Sequence, residues 1–86
     1  MKAGTVVARN IRRLRVERGI AQEALAVDAQ IDRTYVSRLE RDLENPTVAV
    51  LEQLAKALRC DIRELFNADR VAKPVKPLVG GRRKAS

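Results

Sequence analysis

Arg33, Thr34, Ser37, Arg38 and Arg41 recur at i, i+1, i+4, i+5 and i+8. At the pitch of an α-helix these positions share one side. Every one of these side chains can donate a hydrogen bond, and none is acidic. Val36 and Leu39 fall on the opposite side, so the same segment carries an apolar inner face. A helix with such an outer face fits the major groove of B-form DNA. Arginine can hold guanine bidentately, and threonine can both hydrogen-bond and touch a thymine methyl. Taken alone, a basic helix face is more often a solvated face. The reading therefore depends on what positions it.

The positioning elements are visible on either side. Gln22 to Ala29 reads as a short helix with Leu25 and Ala26 inward, and Ala26 is small enough for a close helix crossing. Gln30-Ile31-Asp32 interrupts it, and the Asp32 carboxylate is suited to cap a helix over Arg33 to Arg41. Upstream, Val7, Ile11 and Leu14 at i, i+4, i+7 predict a first helix from Thr5 to Glu17, stopped by Gly19. Downstream, Asn45-Pro46-Thr47 is a turn and cap before a fourth helix, Val48 to Arg59, with Leu51, Leu54, Ala55 and Leu58 inward. Asp61 and Glu64 have the spacing of a capping box, opening a fifth helix of one to two turns with Ile62, Leu65 and Phe66. The periodicity then stops. Pro74, Pro77 and Gly80-Gly81 with scattered Lys and Arg read as a flexible or extended tail. The expected organisation is an all-α domain of five short helices over residues 5–66 and a basic tail over 67–86.

Charge and composition narrow the chemistry. The net charge of +7 suggests an acidic polymer as partner. Its placement matters more: residues 1–66 hold 12 Lys and Arg against 10 Asp and Glu, whereas residues 67–86 hold six basic residues against Asp69 alone. Bulk charge therefore says little about the folded part. There is no histidine and one cysteine, Cys60. That count excludes an internal disulfide and an ordinary Cys/His metal site, and it removes the usual general base. Neither a cofactor nor an enzymatic activity is expected. Cys60 reads as a small buried apolar residue. Met1-Lys2-Ala3-Gly4 lacks the apolar run of a signal peptide, and no stretch approaches a membrane span, so the cytoplasm is the expected location.

Four pieces in order carry a family resemblance. Gln22-Glu23-Ala24-Leu25-Ala26 is followed by Asp32-Arg33-Thr34-Tyr35-Val36-Ser37-Arg38-Leu39-Glu40-Arg41, then Asn45-Pro46-Thr47, then Leu51-Glu52-Gln53-Leu54-Ala55-Lys56-Ala57-Leu58. Together they resemble the Cro/repressor (XRE-type) helix-turn-helix family, over roughly residues 7–66. The Asp-Arg-Thr-Tyr opening also resembles the controller proteins of restriction–modification systems. The resemblance implies a compact lambda-repressor-like fold. It places Arg33, Thr34, Ser37 and Arg38 toward the bases. Gln22, Tyr35, Arg41 and Asn45 fall where phosphates are contacted, with Tyr35 equally readable as packing. Arg15 and Glu40 match a buried ion pair of structural kind. The sequence departs from the family pattern at Ala21, where Ser or Thr is usual, and at Gln30 and Asp42, where Gly is usual. Glu44 puts an acid near the expected phosphate track.

The leading expectation is a sequence-specific transcriptional regulator. It would bind double-stranded DNA as a homodimer on a two-fold symmetric operator, joined through the fourth and fifth helices. The alternative is an antitoxin- or coactivator-type interaction module on the same fold, with a protein partner for the tail.

Overall fold

The computed structural model describes residues 1–71. Residues 72–86, most of the stretch read as a basic tail, lie outside the described residues. Four α-helices come first: α1 Ala3–Glu17, α2 Gln22–Ala29, α3 Arg33–Glu40 and α4 Val48–Ala57. Two 3-10 helices follow, Ile62–Phe66 and Ala68–Arg70. The expected fifth α-helix is thus a 3-10 helix, and the α-helix count is four. Spacing explains the change. Ile62 and Leu65 are three residues apart, and positions i and i+3 eclipse in a 3-10 helix, so both turn to the core together. Phe66, read from the sequence as core, dimer interface or both, falls on the outer side and is 48% exposed.

All four α-helices close in the same way. In each, one residue past the end adopts the left-handed conformation: Gly19 (φ 65°), Gln30 (φ 62°), Asp42 (φ 61°) and Arg59 (φ 57°). The next residue's N–H then reaches back to a carbonyl of the last turn. Those bonds run from Ile20 to Arg15 (3.0 Å), Ile31 to Ala26 (2.9 Å), Leu43 to Arg38 (2.9 Å) and Cys60 to Ala55 (3.0 Å). This is the Schellman arrangement, which normally selects glycine. Here three of the four positions are non-glycine, and the left-handed reversal at Arg59 ends α4 at Ala57 where the apolar pattern predicted a helix running to Arg59. The residue after each reversal is apolar, and Ile20, Ile31 and Cys60 pack on the core. Cys60 is half-buried, and burial pushes its thiol pKa up, in keeping with a packing role.

The helix starts are less uniform. Thr47 Oγ1 accepts from the Val50 N–H at 3.1 Å, as expected of a cap. Asp61 Oδ1 accepts from the Arg63 N–H at 2.8 Å. The reciprocal half of the expected capping box is missing among the described residues, because Glu64 turns to Arg13 at 3.9 Å. Asp32 has the extended backbone of a cap but makes no side-chain cap bond. Its carboxylate is exposed, where water competes well for it.

The core joins Ile11 and Leu14 of α1, Leu25 and Ala26 of α2, Val36 and Leu39 of α3, Leu54 of α4, and Leu58 and Leu65 beyond it. One polar side chain is wholly buried with them. Asn10 donates from Nδ2 to the carbonyls of Leu65 and Asn67, both at 3.1 Å. Its Oδ1 accepts from Arg13 Nε (3.2 Å) and Nη2 (3.0 Å). All the capacity of the amide is used, so its burial is compensated. Asn10 thereby latches the 3-10 segment onto α1.

Candidate nucleic-acid interface

The site is built from α2, the turn at Gln30 and α3. The left-handed Gln30 turns the chain sharply, and Ile31 packs inward to hold the new direction. α3 buries Val36 and Leu39 completely, at 0% and 1% exposure. Helical spacing then forces Arg33, Thr34, Arg38 and Arg41 outward, where all four are exposed, while Ser37 is half-buried beside them. The structure thus brings the expected base-facing residues onto one face.

The angle of α3 is set from behind by an ion pair. Glu40 accepts from Arg15 Nε at 2.6 Å and from Arg15 Nη2 at 3.0 Å, a two-pronged contact between α3 and α1. Arg15 also donates from Nη1 to the Ile20 carbonyl at 2.7 Å. The Glu40 side chain is only 3% exposed. Its Oε1 takes a third donor, Gln22 Nε2, at 3.1 Å. Gln22 opens α2, so one carboxylate ties three helices together. The same bond orients Gln22, the residue expected on phosphate, and leaves its other N–H uncommitted among the described residues.

The remaining expected residues divide by environment. Arg33 and Thr34 make no side-chain hydrogen bond among the described residues, so their donors face solvent. Arg41 Nε returns to the Ser37 carbonyl at 3.3 Å. Asn45 is exposed in the loop before α4. Tyr35 is half-buried against the core. Burial, and secondarily the charge of Glu44, raise its phenol above the usual tyrosine value of 10.0. Asp42 accepts from Thr5 Oγ1 and so faces α1.

One feature of the site was not readable from spacing. Arg38 Nε donates to Glu44 Oε2 at 2.7 Å, and Arg38 Nη2 donates to the Leu43 carbonyl at 3.1 Å. A separation of six residues has no helical meaning. It becomes a contact only because the chain reverses at the left-handed Asp42.

Known proteins share this arrangement. The HTH_3 helix-turn-helix family pattern matches residues 11–65. The chain is 43% identical over 53 residues to the HTH-type transcriptional regulator y4dJ of Sinorhizobium fredii, covering 62% of this chain and 69% of that protein. It is 45% identical over 53 residues to a hypothetical transcription factor of Neisseria meningitidis, covering 62% of this chain but only 50% of that protein. Among solved structures, the restriction–modification controller protein C.AhdI of Aeromonas hydrophila superposes with a TM-score of 0.71 at 36% identity, covering 73% of this chain and 96% of that one. These relatives are regulators rather than enzymes by name. The chain belongs to the helix-turn-helix family HTH_3, of XRE type, and is similar to the restriction–modification controller proteins within it.

Proposed function

We propose that the chain is a sequence-specific DNA-binding transcriptional regulator. The observation that carries this reading is the division of α3, with Val36 and Leu39 fully buried and a donor-bearing face of Arg33, Thr34 and Arg38 outside, Ser37 half-buried among them. In this reading α3 enters the major groove and those four side chains meet base edges. Gln22, Tyr35, Arg41 and Asn45 contact the flanking phosphates and fix the register. The buried Arg15–Glu40 pair keeps α3 at its angle during binding.

Two copies bind a two-fold symmetric operator, with their recognition helices about one helical turn apart. The exposed apolar residues Val48 and Phe66 support a dimer formed through α4 and the 3-10 helix after it. They edge an apolar groove with Val7, Pro46 and Leu51. A second copy would cover this groove and complete a core that is small for the chain length.

Selection of bound sequences from a random duplex pool tests the reading. A palindromic consensus is expected, together with a dimer by sedimentation. Arg33→Ala should then lower affinity by about 1–3 kcal/mol and relax one base position per half-site. Failure of the pool to enrich any sequence would overturn the assignment.

A further inference from the structure

We propose that Glu44 is a specificity-determining residue, clasping Arg38 so that the outer edge of its guanidinium is presented to one base. The inference rests on the DNA-binding reading above and adds a role for a residue outside the recognition helix.

The geometry is particular. Arg38 uses Nε toward Glu44 and Nη2 toward the Leu43 carbonyl, which are donors along one side of the planar fork. Nη1 and the second N–H of Nη2 have no partner among the described residues, and the Arg38 side chain is 45% exposed. Those two nitrogens form the end-on edge, whose parallel N–H groups match O6 and N7 of guanine. An arginine held along one side has lost rotamer freedom before DNA arrives, so less is lost on binding. The clasp itself is anchored. Leu43 N donates to the Arg38 carbonyl at 2.9 Å, and the left-handed Asp42 brings Glu44 back alongside α3. Glu44 is 28% exposed and acts electrostatically on Tyr35 as well, so it sits between two residues of the proposed interface.

A carboxylate at this place has a second effect. It repels phosphate on any duplex and offsets the Arg38 charge there. Both duplexes meet the repulsion, but only the cognate one gains from the pre-set guanidinium edge. The clasp therefore widens the gap between cognate and non-cognate binding. A rival role predicts the opposite sign. Were Glu44 merely a competitor that cognate DNA must displace, its removal would help the cognate complex at least as much as the other.

The test measures binding of the full chain by fluorescence anisotropy at fixed salt, to the selected duplex and to a scrambled one. The proteins are wild type, Glu44→Gln, Arg38→Ala and the double variant. Glu44→Gln is expected to tighten binding to the scrambled duplex. It should also lower the cognate-to-scrambled ratio by about 5- to 10-fold, with the loss concentrated at one base position. In the Arg38→Ala background the same change should shift both duplexes equally, because the residue acts through Arg38. A ratio that is unchanged or raised in Glu44→Gln would overturn the proposal while leaving DNA binding intact. A wild-type protein with no preference among duplexes would remove the DNA reading itself, and the clasp with it.

Discussion

Replacing Arg15 by Met should destabilise the domain by about 3 kcal/mol. Glu40 is almost fully buried and accepts three donors, two of them from Arg15 at 2.6 and 3.0 Å. Arg15→Met leaves that carboxylate with Gln22 Nε2 alone. Removing one partner of a buried pair costs about 3–5 kcal/mol, because the other charge is stranded. Arg15 is 14% exposed, so water entering its place relieves part of this, and the low end near ~3 kcal/mol is expected. A domain of this size is stable by roughly 4–10 kcal/mol, so one substitution removes about a third or more. At about 4–8 °C per kcal/mol the melting temperature should fall by roughly 12–24 °C. The double variant Arg15→Met/Glu40→Leu removes both charges and should be more stable than Arg15→Met alone, retaining a cost of about 1 kcal/mol for the unpaired Gln22. Urea denaturation followed by far-ultraviolet circular dichroism on all members of the cycle gives the coupling directly. An Arg15→Met cost under about 1 kcal/mol would refute the reasoning, as would a double variant destabilised by the sum of the singles.

Three further predictions follow from other parts of the structure. Asn10→Leu should cost about 2–4 kcal/mol, since it deprives two carbonyls and Arg13 of their partner; hydrogen exchange should accelerate first in the Ile62–Phe66 segment, and uniform exchange would contradict the latch. Gln30→Gly and Arg59→Gly should each stabilise by a few tenths to about 1 kcal/mol by relieving left-handed strain, whereas Gly19→Ala should destabilise by a similar amount; a lower urea midpoint for Arg59→Gly would count against the argument. Tyr35 is the only tyrosine and tryptophan is absent, so absorbance near 295 nm reads its ionisation alone. Its midpoint should lie above 10.0, mainly through burial. Because the folded value is raised, the associated stability is full below the unfolded pKa and is lost as pH rises through the folded one. Glu44→Gln should lower that midpoint only partway.

Much of the fold could be read from periodicity. α2 occupies the residues that the pattern assigned, and the inward set of α3 is the pair Val36 and Leu39. The end of α4 was harder, because its left-handed position is held by Arg59 rather than by the glycine that advertises such a site, whereas Gln30 and Asp42 fall where the family resemblance expects glycine. Asn10 carried a signal that went unread: it lies three residues from Val7 and four from Leu14, on the apolar stripe itself. A polar residue in that register marks a buried hydrogen-bonding site. The outer face of α3 was legible because it follows from the inner one. Its internal ties were not. Gln22 and Glu40 are 18 residues apart, and Arg38 meets Glu44 only across a reversal, so both contacts depend on tertiary geometry that spacing does not encode.

α3 could not stand alone. It has eight residues, and Thr34, Tyr35, Val36 and Ser37 in its middle are weak helix formers. Its order comes from Val36, Leu39 and Glu40, which face inward and join it to α1, α2 and the core. The outward residues therefore contribute little to holding the helix together. Arg33 and Thr34 are exposed, and substitutions at such positions usually change stability by no more than about 0.5 kcal/mol. In the proposed reading, recognition can thus be altered at Arg33 and Thr34 while the fold is left as it is. Ser37 and Arg38 are different: one is half-buried, and the other is joined to the loop that ends the helix. If those two side chains meet bases as proposed, a change in the base contact there is also a change in packing or in the Glu44 clasp, so specificity is coupled to the loop and not to the helix alone.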